Sequence, residues 1–266
     1  MKRLVELATI CATILLSSCV TAPDDDESVA PGITWVRHSA EYRALALQVY
    51  GMASRALPAM IENREWTALP DQENARDLPP AIIIDVDETA LSNAGFQAAL
   101  APPFRDSKLN AWSDANPSVA VPGAAEFVQR AVDAGASVFF VTNRPCEAPA
   151  DAPEPCPQEQ VVIGDLVESG FPADASTVWL AYEKPAWTGE KSIRRMEIAE
   201  THRVIMLIGD DLGDFIPCTR KQPLDPCAAG ATRASRRALV DQHANYWGLG
   251  WYVLPNPMHG SWTSVE

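Results

Sequence analysis

Apolar residues gather in short unbroken runs along the middle of the chain, and each run ends abruptly in polar groups. Residues 81–84 read Ala-Ile-Ile-Ile and meet Asp85. Residues 137–141 read Ser-Val-Phe-Phe-Val and meet Thr142-Asn143-Arg144. Residues 204–208 read Val-Ile-Met-Leu-Ile and meet Gly209-Asp210-Asp211. Continuous runs of this length, rich in β-branched residues, predict strands buried on both faces, as in a parallel sheet. Shorter strands are predicted at 177–180 and 250–254. Between them the period lengthens. After Val36, the positions Tyr42, Leu45, Val49, Met52, Ala56 and Met60 recur at three- and four-residue steps, which predicts an amphipathic helix from 35 to about 66, or two helices meeting near Pro58. Further helices are predicted at 124–134, with Pro122 near the first turn and Gly135 at the end, and at 158–169, 190–201 and 233–246. Residues 70–80 form a polar loop that delivers the chain to the first buried strand. Residues 90–112 have weak periodicity around Pro102-Pro103 and are expected to lie over the site as an insertion. Strands alternating with helices give an α/β fold with a mostly parallel sheet flanked by helices.

The chain has 266 residues, 47% of them hydrophobic, enough for a substantial core and one large domain. Its formal net charge of −14 argues against binding nucleic-acid polymers, which require a basic surface. Small phosphorylated ligands stay open, because a local cation can reverse the field inside a cleft.

The N-terminus reads as a targeting segment. Lys2 and Arg3 precede an apolar stretch, residues 7–16, that is too short to span a membrane. Leu16-Ser17-Ser18-Cys19 resembles a bacterial lipobox, with residues 1–18 as signal peptide and Cys19 as the lipidated first residue. Val20 after Cys19 favours the outer membrane. Residues 19–34, acidic and Pro-containing, are expected to be a tether, leaving 35–266 as a single domain. Within it, 35–80 carry the N-terminal helices and 90–121 a cap or insertion.

Export changes how the cysteines read. Beyond Cys11 and Cys19 there remain Cys146, Cys156, Cys218 and Cys227. An even set in an oxidising compartment suggests disulfides. Three connectivities are open. The local pairs Cys146–Cys156 and Cys218–Cys227, each closing a Pro-rich loop, are preferred. Zinc is disfavoured because no Cys-x-x-Cys spacing occurs.

In a parallel sheet the polar ends of the three long strands fall on one edge, so Asp85, Asp87, Thr142, Asn143, Asp210, Asp211 and Asp214 can converge. So many acids in one place call for a compensating cation. The chemistry that suits them is phosphoryl transfer. It needs a carboxylate nucleophile, a second acid for the leaving oxygen, amide and hydroxyl donors for the phosphoryl oxygens, a lysine and a metal.

The motifs also resemble a known family. Asp85-Val86-Asp87-Glu88-Thr89, residues 138–144 ending in Thr142-Asn143-Arg144, Lys191 within Gly189-Glu190-Lys191-Ser192, and Gly209-Asp210-Asp211-Leu212-Gly213-Asp214-Phe215 stand in the order of the four signatures of the haloacid-dehalogenase superfamily. Together with Leu254-Pro255-Asn256-Pro257-Met258-His259-Gly260-Ser261-Trp262 and the lipobox, they resemble the class C acid phosphatases, which are outer-membrane lipoproteins. The resemblance implies a Rossmann-like fold with a small cap and a Mg²⁺-dependent hydrolase of small phosphate monoesters, nucleoside 5′-monophosphates and aryl phosphates among them. It implies Asp85 as nucleophile and metal ligand, and Asp87 as acid/base that also touches the metal through its backbone carbonyl. Thr142 and Asn143 would hold phosphate, Lys191 would act as clamp, and Asp210 and Asp214 would serve the metal site. Asp211 stands where many members have Asn and is expected to act behind the ligands. After Leu91 the chain reads Ser92-Asn93-Ala94-Gly95-Phe96, a departure from the family that leaves substrate preference open.

Phe96 and Trp112 are candidates to stack on a substrate ring, although an aromatic is more often core. Lys184 is the fallback for Lys191. Arg194 and Arg195 read as a solvated helix face. The expected partners are a small phosphorylated substrate and the outer membrane, at its periplasmic or surface face, and a homodimer is compatible. Two rival functions are an envelope lipoprotein that binds phosphorylated ligands without turnover, and a phosphotransferase using the same site.

Overall fold

The computed structural model describes residues 30–100, 104–116, 119–147 and 155–265. The expected signal peptide, Cys19 and most of the tether lie outside these residues.

Five parallel strands form one sheet: β1 (Pro80–Ile84), β2 (Ser137–Pro145), β3 (Val178–Ala181), β4 (Arg203–Gly209) and β5 (Trp251–Val253), in the order β3-β2-β1-β4-β5. The three long apolar runs are thus the three central strands. Ile84 pairs with Phe140 on one side and Ile208 on the other, so β1, β2 and β4 end level with one another. Both faces are covered. Ile82 and Ile84 pack with Phe140, Ile208 and residues of α2 (Ala40–Glu62), α5 (Ala124–Asp133) and α6 (Pro157–Glu168). Ala81 and Ile83 point the other way, toward Phe139, Leu207, Trp251 and Ile198 of α7 (Ser192–Ala199). Burying one such isoleucine contributes roughly 1.5–3 kcal/mol, which explains why the runs are unbroken.

The first helical region divides earlier than its proline suggests. α1 (Pro31–His38) is followed at once by α2, and the break is at Ser39, whose Oγ accepts from Tyr42 N–H as an N-cap (3.0 Å). Pro58 sits inside α2 on an exposed face. There the Ser54 carbonyl that loses its amide partner can turn to water. The range expected to be tether also ends sooner, because Pro31 starts α1. At its far end α2 is closed by a buried arginine from β4. Arg203 donates through Nη1 to the carbonyls of Met60, Asn63 and Trp66 and through Nη2 to that of Ile61, at 2.8–3.1 Å. A cation on those orphan carbonyls satisfies both their hydrogen bonding and the helix dipole.

The insertion after β1 holds two helices, α3 (Ala94–Ala99) and α4 (Asp106–Ala115), and α4 leans on α6. α8 (Arg233–Gln242) leads into β5. Cys146 is bonded to Cys156 and Cys218 to Cys227.

Candidate active site

The level strand ends make a cleft of about 330 Å³. Asp85, Asp87, Asn143, Lys191, Asp210, Asp211 and Asp214 line its floor. Phe104, Asp106, Leu109, Arg220 and His259 also line the cleft. Directly after Asp87 the backbone turns at Glu88 with φ of 60°, a left-handed conformation that a glutamate adopts at some cost. Glu88 is held there by its own carboxylate, which accepts from Asn93 N–H (2.8 Å) and lies 2.8 Å from His259 Nε2.

Asp85, Asp210 and Asp214 form the first half of the site. One carboxylate oxygen from each lies within 4.8 Å of the others. The fold holds Asp214 in place by accepting two backbone N–H bonds, from Asp210 and Asp211, on Oδ2 (3.1 and 3.0 Å). Gly209 makes room for this, since a Cβ there would stand 2.2 Å from that same oxygen. Asp210 accepts from the Thr89 hydroxyl (3.1 Å) and the Asn256 amide (2.7 Å). Lys191, 5% exposed, pairs with Asp85 and with Asp214 (2.7 Å). One ammonium is therefore shared by Asp85 and Asp214, with the partly buried Asp210 beside them. Burial, reinforced by the neighbouring acids and opposed by Lys191, pushes the Asp85 carboxyl up to about 7. Burial and the Asp85 charge push Asp210 well above the usual carboxylate range. A crowded set of hard oxygen donors short of positive charge fits a divalent cation.

Asp87 belongs to the other half. Burial, the largest single effect, would raise its pKa, but Arg144 together with hydrogen bonds from Asn93 and Thr142 holds it below the ordinary carboxylate value. Arg144 donates from Nε (3.0 Å) and Nη2 (2.8 Å) to Asp87 Oδ1, Asn93 Nδ2 donates to the same oxygen (2.7 Å), and the Thr142 hydroxyl donates to Oδ2 (3.2 Å). The Asp87 carboxylate is thus committed to these partners and is not among the three converging acids.

The site residues expected from sequence are placed unevenly. Asp85, Asp87, Lys191, Asp210 and Asp214 come together. Lys184 lies outside, paired with Glu197 and 4.2 Å above the Trp187 ring. Asn143 faces the cleft, with Oδ1 accepting from Arg194 Nη2 (2.7 Å). Thr142 is fully buried, and its hydroxyl serves Asp87 and Arg144 N–H (3.1 Å). Asp211 braces the C-terminal segment, accepting from Ser261 N and Oγ. The aromatic expectation is corrected. Phe96 is buried and packs against Phe104 (6.0 Å) and Trp112 (6.2 Å), and neither Phe96 nor Trp112 lines the cleft. Phe104, 47% exposed, takes that position. The second correction concerns Arg194 and Arg195, which are buried rather than solvated. Arg194 donates to Thr142 O and Asn143 Oδ1, and Arg195 to the carbonyls of Gly213 (2.8 Å) and Asp214 (3.0 Å). They lock the ends of β2 and β4 into register with α7. Asn93, Asn256 and Asp165 were missed as well.

The family model of the HAD superfamily, subfamily IIIB (Acid phosphatase) matches residues 16–262. The chain belongs to this family. It is a phosphatase, and its substrate class is accordingly a small phosphorylated molecule. Among solved structures, the class C acid phosphatase from Bacillus anthracis shares the fold, with 24% identity over 87% of this chain and 84% of that one and a TM-score of 0.65. The same enzyme with tungstate bound matches over the same shares with a TM-score of 0.67. Placed in the family, the parallel sheet with its flanking helices is the HAD fold, and the three-acid cluster is where the phosphatase could hold its divalent metal.

Proposed function

We propose that the protein is a Mg²⁺-dependent phosphomonoesterase that works through an aspartyl-phosphate on Asp85. The observation that carries this reading is the split of the Asp-x-Asp pair. Asp85 sits in a cluster that needs a cation, while Asp87 is turned to a separate set of donors. Asp85, Asp210 and Asp214 would hold the Mg²⁺, with the Asp87 backbone carbonyl as a further ligand. The ion would supply charge neutralisation, allowing a carboxylate and a phosphate dianion to meet.

The chain's own groups account for the rest. Asp85 attacks phosphorus, the bond to the leaving oxygen breaks, and Asp87, which must take up a proton from solvent before the attack, gives that proton to the oxygen. Asp87 then takes a proton from water as the water attacks the aspartyl-phosphate, which frees Asp85 and releases phosphate. Lys191 keeps positive charge against the nucleophile, and the Asn143 amide, oriented by Arg194, is available to a phosphoryl oxygen. The Bacillus anthracis neighbour binds tungstate, a tetrahedral oxyanion with the shape of phosphate. Phe104 and Leu109 in the cleft lining suit an apolar or aromatic leaving group, such as a nucleoside or an aryl alcohol. The binding-only alternative loses ground because both acids of the pair are present and within the cleft.

The test is phosphate release from an aryl phosphate and a nucleoside 5′-monophosphate by protein lacking residues 1–18, with Mg²⁺ or with EDTA. Activity that survives EDTA, or that survives Asp85→Asn, overturns the reading. We also propose that Cys19 anchors the protein to the outer membrane, on the strength of the lipobox. Loss of membrane association in Cys19→Ser supports this, and unchanged fractionation contradicts it.

A further inference from the structure

The partner of Arg144 on its far side was not part of any motif. Arg144 is 3% exposed at its side chain and divides its guanidinium between two acids. Nε and Nη2 go to Asp87, and Nη1 donates to Asp165 Oδ2 at 2.9 Å. Asp165 is itself buried, on the inner face of α6, two turns into the helix that follows the Cys146–Cys156 loop. It does not line the cleft that holds the reacting groups.

A guanidinium is planar, and its donors are fixed relative to one another. Tying Nη1 from behind therefore sets where Nε and Nη2 point. Arg144 has a flexible stem. Without Asp165 the fork would have one charged partner and could follow Asp87 as it moves. With Asp165, the plane is fixed between β2 and α6, and Asp87 must come to it. The pairing is buried and charge-assisted, so it is geometrically strict.

We propose that Asp165 is a positioning residue for proton transfer, acting through Arg144 on Asp87. This rests on the assignment of Asp87 as the acid that protonates the leaving oxygen. Its consequence depends on the leaving group. An alkoxide leaves poorly and needs the proton in the transition state, whereas a nitrophenolate leaves well without it. Displacing the acid by a fraction of an ångström to an ångström harms the first reaction far more than the second.

The experiment compares kcat/KM for an alkyl phosphate and for p-nitrophenyl phosphate in wild type, Asp165→Asn, Asp165→Glu and Asp87→Asn, all in the full mature chain. In Asp165→Asn the expected loss on the alkyl substrate exceeds that on the nitrophenyl substrate by about tenfold or more, mainly in kcat. Asp165→Glu, which keeps the charge, is expected to recover part of the ratio. Asp87→Asn is expected to show a still larger ratio. Equal losses on both substrates in Asp165→Asn, while Asp87→Asn keeps its large ratio, overturn the role of Asp165 and leave Asp87 as the acid. A ratio near one in Asp87→Asn overturns the assignment on which the proposal stands. Should Asp165→Asn not fold, Asp165→Ser, which also removes the carboxylate, is read in its place. A raised alkyl-to-nitrophenyl loss ratio supports the proposal, and a ratio equal to that of wild type contradicts it.

Discussion

Asp85 and Asp87 are two residues apart on one strand end, and their surroundings drive them in opposite directions. Around Asp85 there are two further carboxylates, Asp210 and Asp214, and one lysine, and its carboxyl is pushed up to about 7. Around Asp87 an arginine, an amide and a hydroxyl all donate, and its carboxyl is held low. Chemically identical side chains are thus shifted in opposite directions by their partners alone. The first half is left short of positive charge and can take up a cation. The second is complete in itself and rigid. A cation bound in the first half would favour the ionised Asp85 that a nucleophile needs.

The contrast can be broken most severely at Asp85. Asp85→Asn is expected to lower kcat by on the order of 10⁴-fold or more, measured as steady-state phosphate release. In the metal-free protein the same change is expected to raise the melting temperature, because a repelled buried charge is removed, whereas Asp87→Asn lowers it. Melting shifts of the same sign in both variants would remove the distinction.

Next in size is Arg144. Arg144→Met leaves the buried Asp165 and the partly buried Asp87 without their cation and is expected to cost about 3 kcal/mol of stability, read from urea unfolding. A third effect comes from the metal. Mg²⁺ at a hundredfold excess over its dissociation constant should stabilise the protein by about 2.7 kcal/mol. That gain should vanish in Asp210→Asn and persist in Asp165→Asn.

The smallest effect concerns His259, whose pKa is raised by Glu88 beside it, with smaller help from Asp87 and Asp85, against the opposing effect of burial. A histidine raised in the folded state stabilises fully below its ordinary pKa, and the contribution is lost as pH rises through the folded value. Its side chain is 41% exposed, so solvent screening limits the effect to about 0.5 kcal/mol. His259→Gln should therefore lower metal-free stability at about pH 5 and leave it unchanged at about pH 8.5. The reverse pattern would mean that the Glu88 contact does not hold the charge.

Much of the fold could be read from the chain because burial on both faces of a parallel sheet imposes apolar runs that no helix or loop needs. Residues 81–84, 137–141 and 204–208 are the three central strands. The acids at their ends were legible for the same reason, since strand ends share an edge whatever the loops do. Arg194, Arg195 and Asp165 were not, because a charged residue on a helix carries no local sign of whether its face meets water or other buried polar groups. That is decided by what packs above it. The break at Ser39 did carry a local signal, a serine N-cap, but Pro58 spoke more loudly in the sequence and proved tolerable on an exposed face. Phe96 was not legible for a similar reason, as the turn of a short helix decides whether its ring is covered.

The most direct test is to trap the intermediate. Enzyme turning over an aryl phosphate with Mg²⁺ is quenched in acid and reduced with borohydride, and the peptides are sequenced by mass spectrometry. An acyl phosphate at Asp85 is converted to homoserine at position 85, and that is the expected result. Homoserine at position 87, or no modified peptide from enzyme shown to be turning over, would contradict the division of labour between the two acids.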